Sequence, residues 1–206
     1  MAEVAELVVA DEPGAWEALG FEVDGGTCVV GGVSIRLAGP GAGRGLVRWA
    51  LSGAAGLELD GLATEVGDVA ERLNGDHPNG TSGIDHVVAF SPRLDRTVAA
   101  LEAAGLDLRR IREEPTPAGA PRQAFFRLGG LILEVIQQHS DHIRDPDGPA
   151  RLWGLAFLAS DLEALAQRLG EHARGPRDAV QPGRRILTLR RSAGLSVPLA
   201  WMSARP

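Results

Sequence analysis

The chain has 206 residues, a formal net charge of −6 and a hydrophobic share of 44%. That is enough apolar material for one large or two small folded domains, and it excludes a disordered chain. An acidic balance without a single lysine lacks the basic footprint of general nucleic-acid binding, and no apolar run nears the roughly 20 residues that span a bilayer. Cys28 is the sole cysteine, which rules out an internal disulfide and a cysteine-rich zinc module. With Glu3, Glu6 and Asp11 where a signal peptide would be basic and then apolar, a reduced cytoplasmic protein is expected.

In chain order, AELVVAD (5–11) predicts a strand, EPGAWEALG (12–20) a stub helix and TCVVGGVSIRL (27–37) a hairpin turning at Gly31-Gly32. GPGAGRG (39–45) lacks the GK[ST] ending of a phosphate loop and reads as a connector. A strand over 46–51, a short helix over 66–74 and turn chemistry in HPNG (77–80) follow. IDHVVAFSPRLDRTVAAL (84–101) is a strand leading into a helix. Ser91 is the expected N-cap, Pro92 the first helical residue, Leu94, Val98 and Leu101 the apolar stripe and Gly105 the stop. RQAFFRLGGLILEVIQ (122–137) is a hairpin turning at Gly129-Gly130, and SDHIRDPDGPA (140–150) a polar linker.

LWGLAFLASDLEALAQRL (152–169) repeats the strand and helix of 84–101 at a shift of 68 residues. Here Ser160 and Glu163 have the spacing of a capping box, Leu162, Leu165 and Leu169 make the stripe, and Gly170 ends it. RRILTLRRSAGLSVPLAWM (184–202) supplies its hairpin, with a turn near Ser192–Gly194. The organisation is strand, helix, hairpin, written clearly twice and once in reduced form. The expected division is a reduced unit over 1–60, a connector over 61–82, a full unit over 83–138, a linker over 139–151 and a second full unit over 152–206.

A repeated βαβββ unit with a histidine in its first strand (IDHVV, 84–88) and a glutamate in its last (GGLILEV, 129–135) resembles the vicinal oxygen chelate superfamily. That group includes glyoxalase I, the bleomycin-resistance proteins and the extradiol dioxygenases. The resemblance implies an α+β fold of curved mixed sheets with helices on the convex side, and a concave side holding a divalent metal. It also implies that His86 and Glu134 occupy the ligand positions.

Strand alternation tests that placement on paper. With the turn at Gly129-Gly130, Gln123, Phe125, Arg127, Ile132, Glu134 and Ile136 share one face, while Ala124, Phe126, Leu128, Leu131, Leu133 and Val135 form a wholly apolar one. His86, Val88 and Phe90 are expected on the polar side. Cys28 falls on an apolar side, as a buried small hydrophobe.

The metal set does not close within the middle repeat. Gly154 stands where the last repeat would carry His86, and Pro198 or Ala200 where it would carry Glu134. In the opening repeat Glu6 matches His86, but Arg36 matches Glu134, and a guanidinium opposes a cation. Two readings stay open. In one, a cavity without a tightly held metal binds a small polar organic molecule through His86, Glu134, Gln123, Phe125, Arg127 and Arg190, with Trp153 at its rim. In the other, one divalent metal (Zn, Ni, Mn or Fe) sits on His86 and Glu134, completed by Glu6, solvent or another residue, Glu134 acts as base, and the protein is a lyase, isomerase or dioxygenase. A small-molecule ligand is the expected partner, with no nucleic acid or membrane; a homodimer is left open. His139, Asp141 and His142 read as solvated linker, and His77 and His172 as surface residues.

Overall fold

Gly31 and Gly32, at φ of 59° and 82°, and Gly129, at 58°, adopt the left-handed conformations that tight two-residue hairpins require. The computed structural model describes residues 1–69, 75–116 and 119–204. The opening repeat gives β1 (Glu3–Val9), α1 (Pro13–Ala18), β2 (Thr27–Val30) and β3 (Val33–Leu37). Two strands follow, β4 (Leu46–Ser52) and β5 (Thr64–Val66). The middle repeat is β6 (Thr81–Ser91), α2 (Leu94–Ala103), β7 (Asp107–Arg112), β8 (Gln123–Leu128) and β9 (Leu131–Gln137). The last is β10 (Arg151–Ala159), α3 (Leu162–Leu169), β11 (Ala173–Asp178), β12 (Arg185–Leu189) and β13 (Leu199–Met202).

Each full repeat is wired identically. The last strand returns parallel to the first, β9 beside β6 and β13 beside β10, and the remaining strands add antiparallel as β8 then β7, and β12 then β11. The opening repeat does the same with one strand fewer: β3 is parallel to β1 and antiparallel to β2. The fold is α+β, built from βαβββ units on mixed sheets, as the repeat predicts. Packing gathers the residues into two compact units, Met1–Ala5 with Arg48–Val69 and His86–Trp153, and Glu6–Val47 with Ala70–Asp85 and Gly154–Pro206.

In the first unit α2 lies on β7, β8 and β9. Its stripe of Leu94, Val98 and Leu101 is buried, and so is the apolar sheet face of Ala124, Phe126, Leu128, Leu131, Leu133 and Val135. Each leucine so buried contributes roughly 1.5–3 kcal/mol. The 140–150 linker is exposed at its start but tied down at its end. Arg93 pairs with Asp147 at 2.7 Å, Arg96 pairs with Asp60 at 2.7 Å and donates to the Gly148 carbonyl, and the Ala150 N–H reaches the Asp60 carbonyl.

In the second unit Trp16, Phe21, Phe157 and Trp201 form one aromatic cluster, with centroids 4.8–6.1 Å apart. The polar ends of these side chains are satisfied: Trp16 Nε1 donates to Asp11 and Trp201 Nε1 to Thr81 Oγ1. A second buried polar group is the ion pair of Arg184 with Asp85 at 2.8 Å, the guanidinium also donating to the Ser203 carbonyl and Gln181 Oε1.

Several local expectations are corrected. Helix α2 starts at Leu94, not Pro92, because Ser91 belongs to β6; its buried hydroxyl bonds Thr97 Oγ1 and accepts the Arg93 N–H. In α3 the cap is Asp161, whose carboxylate accepts from Glu163 and Ala164 at 2.9 and 3.0 Å, in place of Ser160. The last hairpin is joined by nine residues containing a 3₁₀ turn at Arg191–Ala193 rather than by a tight turn. Val66 ends β5, and most of the helix expected over 66–74 lies outside the described residues.

His77 is no surface residue but 5% exposed. Its Nε2 faces the Val29 carbonyl at 3.0 Å while Nδ1 accepts the Glu22 N–H at 3.1 Å, an arrangement that needs the neutral ring. Burial lowers its pKa from the ordinary 6.5 against weaker opposing pulls from the Val29 carbonyl, Glu22 and Asp76. The unfolded chain therefore takes up this proton first. The contribution is full above pH 6.5 and is lost as pH falls through the lowered folded value. Urea midpoints should fall as pH drops below 6.5, and His77→Gln should flatten that slope while lowering overall stability.

Gly154 exists for close approach. A Cβ there would stand 2.7 Å from the Pro198 carbonyl oxygen, beside the hydrogen bond from Leu155 N to that same oxygen. Gly154→Ala should cost about 1–3 kcal/mol in urea unfolding, whereas Gly130→Ala, which meets nothing within 4 Å, should stay within about 0.5 kcal/mol of the parent.

Candidate ligand-binding face

The sheet of the first unit has one face under α2 and one face away from it. Strand register sorts the second face into three rows running from β6 through β9 and β8 to β7. These are Phe90–Ile136–Gln123–Arg112, Val88–Glu134–Phe125–Arg110 and His86–Ile132–Arg127–Asp107. The cross-strand pairs expected from the Gly129-Gly130 turn are all present.

The polar centre of this face joins the rows diagonally. His86 Nε2 lies 3.4 Å from Glu134 Oε2, and Gln123 Nε2 donates to Glu134 Oε1. Both side chains of the His86–Glu134 pair are about 15% exposed, so they sit low in the surface while remaining reachable. Gln123 is buried. The two oxygens of Glu134 are thus oriented by two different partners, which fixes the carboxylate plane.

Around this centre the face is aromatic and cationic. Phe125 pairs directly with Glu134, and the Arg110 guanidinium stacks over its ring at 4.8 Å. Phe90 meets Trp153 edge-on at 5.0 Å and carries Arg151 at 5.4 Å. Trp153 is 38% exposed, whereas Trp16, Trp49 and Trp201 are fully buried. Arg127 is exposed and donates to the Gly129 carbonyl. Of the residues expected at the site, His86, Glu134, Gln123, Phe125, Arg127 and Trp153 are brought together in this unit. Arg110 and Arg151, not anticipated, lie beside them over Phe125 and Phe90; the arginine-rich strand DLRRIR and the RLW start of β10 are their only signals in the sequence.

Two expected site residues belong to the second unit. Glu6 accepts from Arg36 at 3.4 Å, and Arg190 donates Nε–H to the Ala173 carbonyl at 3.0 Å. The last repeat's equivalent of Glu134 is settled as Ala200, which pairs with Ala156 as Glu134 pairs with Val88.

Catalytic divalent sites generally take three protein ligands. Among the described residues no group of three or more His, Cys, Asp or Glu is gathered, and each Glu134 oxygen is engaged. Within the first unit, His86 and Glu134 supply two donors, fewer than such a site generally takes.

Two hollows lie elsewhere. One, of about 550 Å³, lies in the second unit between Pro78–Gly80 and the start of α3. The other, of about 380 Å³, lies in the first unit at the start of α2, lined by Arg93, Arg96 and Arg122. The arginines of the latter are already paired, with Asp147, Asp60, and Asp95 and Glu113 respectively. Hydrogen bonding to Arg122 holds the Glu113 carboxyl below its usual range. That hollow therefore offers little uncompensated charge.

No protein-family model and no curated protein matches the chain. Among solved structures it is similar to methylmalonyl-CoA epimerase from Mycobacterium tuberculosis, at 19% identity over 62% of this chain and 91% of that one, with a TM-score of 0.47. A single-residue variant of Streptomyces coelicolor methylmalonyl-CoA epimerase, in complex with 2-nitronate-propionyl-CoA, matches at 20% identity over 60% and 95%, with a TM-score of 0.48. A hypothetical protein, BH1468 from Bacillus halodurans C-125, matches at 14% over 60% and 94%, with a TM-score of 0.46. Among the described residues no helix is long and apolar enough to cross a membrane.

Cys28 is fully buried, and burial, aided by Glu22, pushes its thiol up to about 12. A thiol reagent at pH 8 should leave the native protein unmodified over the period in which the urea-unfolded chain reacts completely. Rapid native labelling would refute the packing of β2.

Proposed function

We propose that the chain binds a small polar organic molecule against the open face of the first unit, with His86, Glu134 and Gln123 as the polar contacts. The observation that carries this reading is the His86–Glu134 approach of 3.4 Å on the side of the sheet away from the helix, with Gln123 on the other carboxylate oxygen. A core histidine would lie beneath α2; this one shares a surface with Phe90, Phe125 and Trp153. Such a surface combines apolar area for binding with a few oriented polar groups for selection. Glu134 is the group placed to accept a hydrogen bond or a proton from a bound hydroxyl or acidic C–H, and His86 steadies its charge.

The test is a thermal-shift screen of small polar metabolites against the parent protein and the His86→Ala/Glu134→Gln double variant. Compounds that bind should raise the parent Tm and lose most of that effect in the double variant. Equal shifts in both proteins would reject the site. Elemental analysis of protein purified without chelators accompanies the screen. Stoichiometric zinc, nickel, manganese or iron, lost in His86→Ala, would replace this reading with the metal-dependent lyase, isomerase or dioxygenase.

A further inference from the structure

The open face of the first unit is positively charged in a chain that is acidic overall. Arg110, Arg112 and Arg127 lie on it by register with Phe125, Gln123 and Ile132, and Arg151 reaches it over Phe90. Against these four guanidinium groups stand the carboxylates of Glu134 and Asp107. Glu134 is already met by His86 and Gln123, and Asp107 by Arg109 at 3.2 Å. Among the described residues none of the four forms an ion pair, although the chain carries 27 acidic residues against 21 basic ones. In the same unit Arg93, Arg96 and Arg122 are all paired with carboxylates. Unpaired arginines are therefore concentrated on this face and not a general habit of the unit.

Their positions matter as much as their number. A guanidinium stacked flat on a ring keeps its N–H edges pointing outward, where they are fit for a carboxylate. Arg110 and Arg151 lie over the rings of Phe125 and Phe90, with Cζ 4.8 and 5.4 Å from the ring centres. Those rings belong to β8 and β6, with β9 between, and lie in adjacent rows, so their backbones stand about 12 Å apart. Between them lie Val88, Ile132, Ile136 and the His86–Glu134 pair. We infer that the ligand is a small organic carboxylate with a planar apolar body, its body against Phe90, Trp153 and Phe125 and its charge on Arg110 or Arg151. This deepens the proposed function and rests on the same face.

Trp153 gives a direct readout. The indole N–H groups of Trp16, Trp49 and Trp201 are bonded to Asp11, Thr64 and Thr81 inside the protein and serve as internal controls. In ¹⁵N-labelled protein, with the Trp153 indole resonance assigned by Trp153→Phe, benzoate and its neutral isostere benzamide are titrated separately. Benzoate should move the Trp153 resonance alone among the four, with benzamide at least roughly tenfold weaker, and Arg110→Gln or Arg151→Gln should weaken benzoate roughly three- to tenfold. Benzamide binding as tightly as benzoate would overturn the anion inference and leave the ligand-binding reading standing. No movement with either compound would overturn the inference. So would a Trp153 shift that follows protein concentration alone, the mark of a second copy on this face. A benzoate response that is lost in the arginine variants yet intact in His86→Ala/Glu134→Gln would support the charge inference and count against the polar centre proposed above.

Discussion

His86 and Glu134 meet because β9 returns parallel to β6 with Glu134 opposite Val88. In that register the two polar side chains are diagonal neighbours on one face, and a slip of a single residue would send Glu134 into the apolar layer beneath α2. The register is defended from both sides. The Gly129 turn sets β8 against β9, and the unbroken apolar layer from Ala124 to Val135 can be buried in only one of the two phases. The candidate site is thus a by-product of hydrophobic patterning: once the apolar face chooses the helix, the polar face has no other place to go.

The last repeat uses the same wiring for a different end. Where the middle repeat carries His86 and Glu134, it carries Gly154 and Ala200. Gly154 leaves room for the Pro198 carbonyl, and on the opposite face of the same strands Phe157 and Trp201 join the aromatic cluster of the second unit. Positions that could hold polar groups have been given over to close packing, which contributes stability but no chemistry. One scaffold, written twice, keeps its polar residues in one copy.

Patterns of short range were the legible ones. Two glycine-pair hairpins, the two leucine stripes and the inward and outward faces of β8 and β9 follow from local periodicity, and each is found as expected. Helix starts were displaced by one or two residues. Several polar side chains compete for the same N–H groups there, and only three-dimensional placement decides whether Ser91 or Arg93, Ser160 or Asp161, stands at the cap. The buried polar contacts were not legible at all. His77 bonds a residue 48 positions away, and Asp85 is met by Arg184 from the far end of the chain. Neither pairing leaves a local trace, since a histidine before proline and an aspartate within a strand look alike whether solvated or enclosed.

The same contrast bears on what the open face can do. A buried charge is retained only where partners offset its desolvation, as Asp85 and Arg184 do for each other. The His86–Glu134 pair is less enclosed, and an amide and an imidazole orient its carboxylate. An arginine would hold Glu134 permanently in a strong bidentate pair and remove it as an acceptor. In the proposed reading, Glu134 also accepts from a bound molecule. The chain is rich in arginine, yet it places Arg110 and Arg151 on the surrounding aromatic rings and keeps the centre for exchangeable hydrogen bonds. In the proposed reading, that division, cations around and a carboxylate within, is what receives the polar molecule.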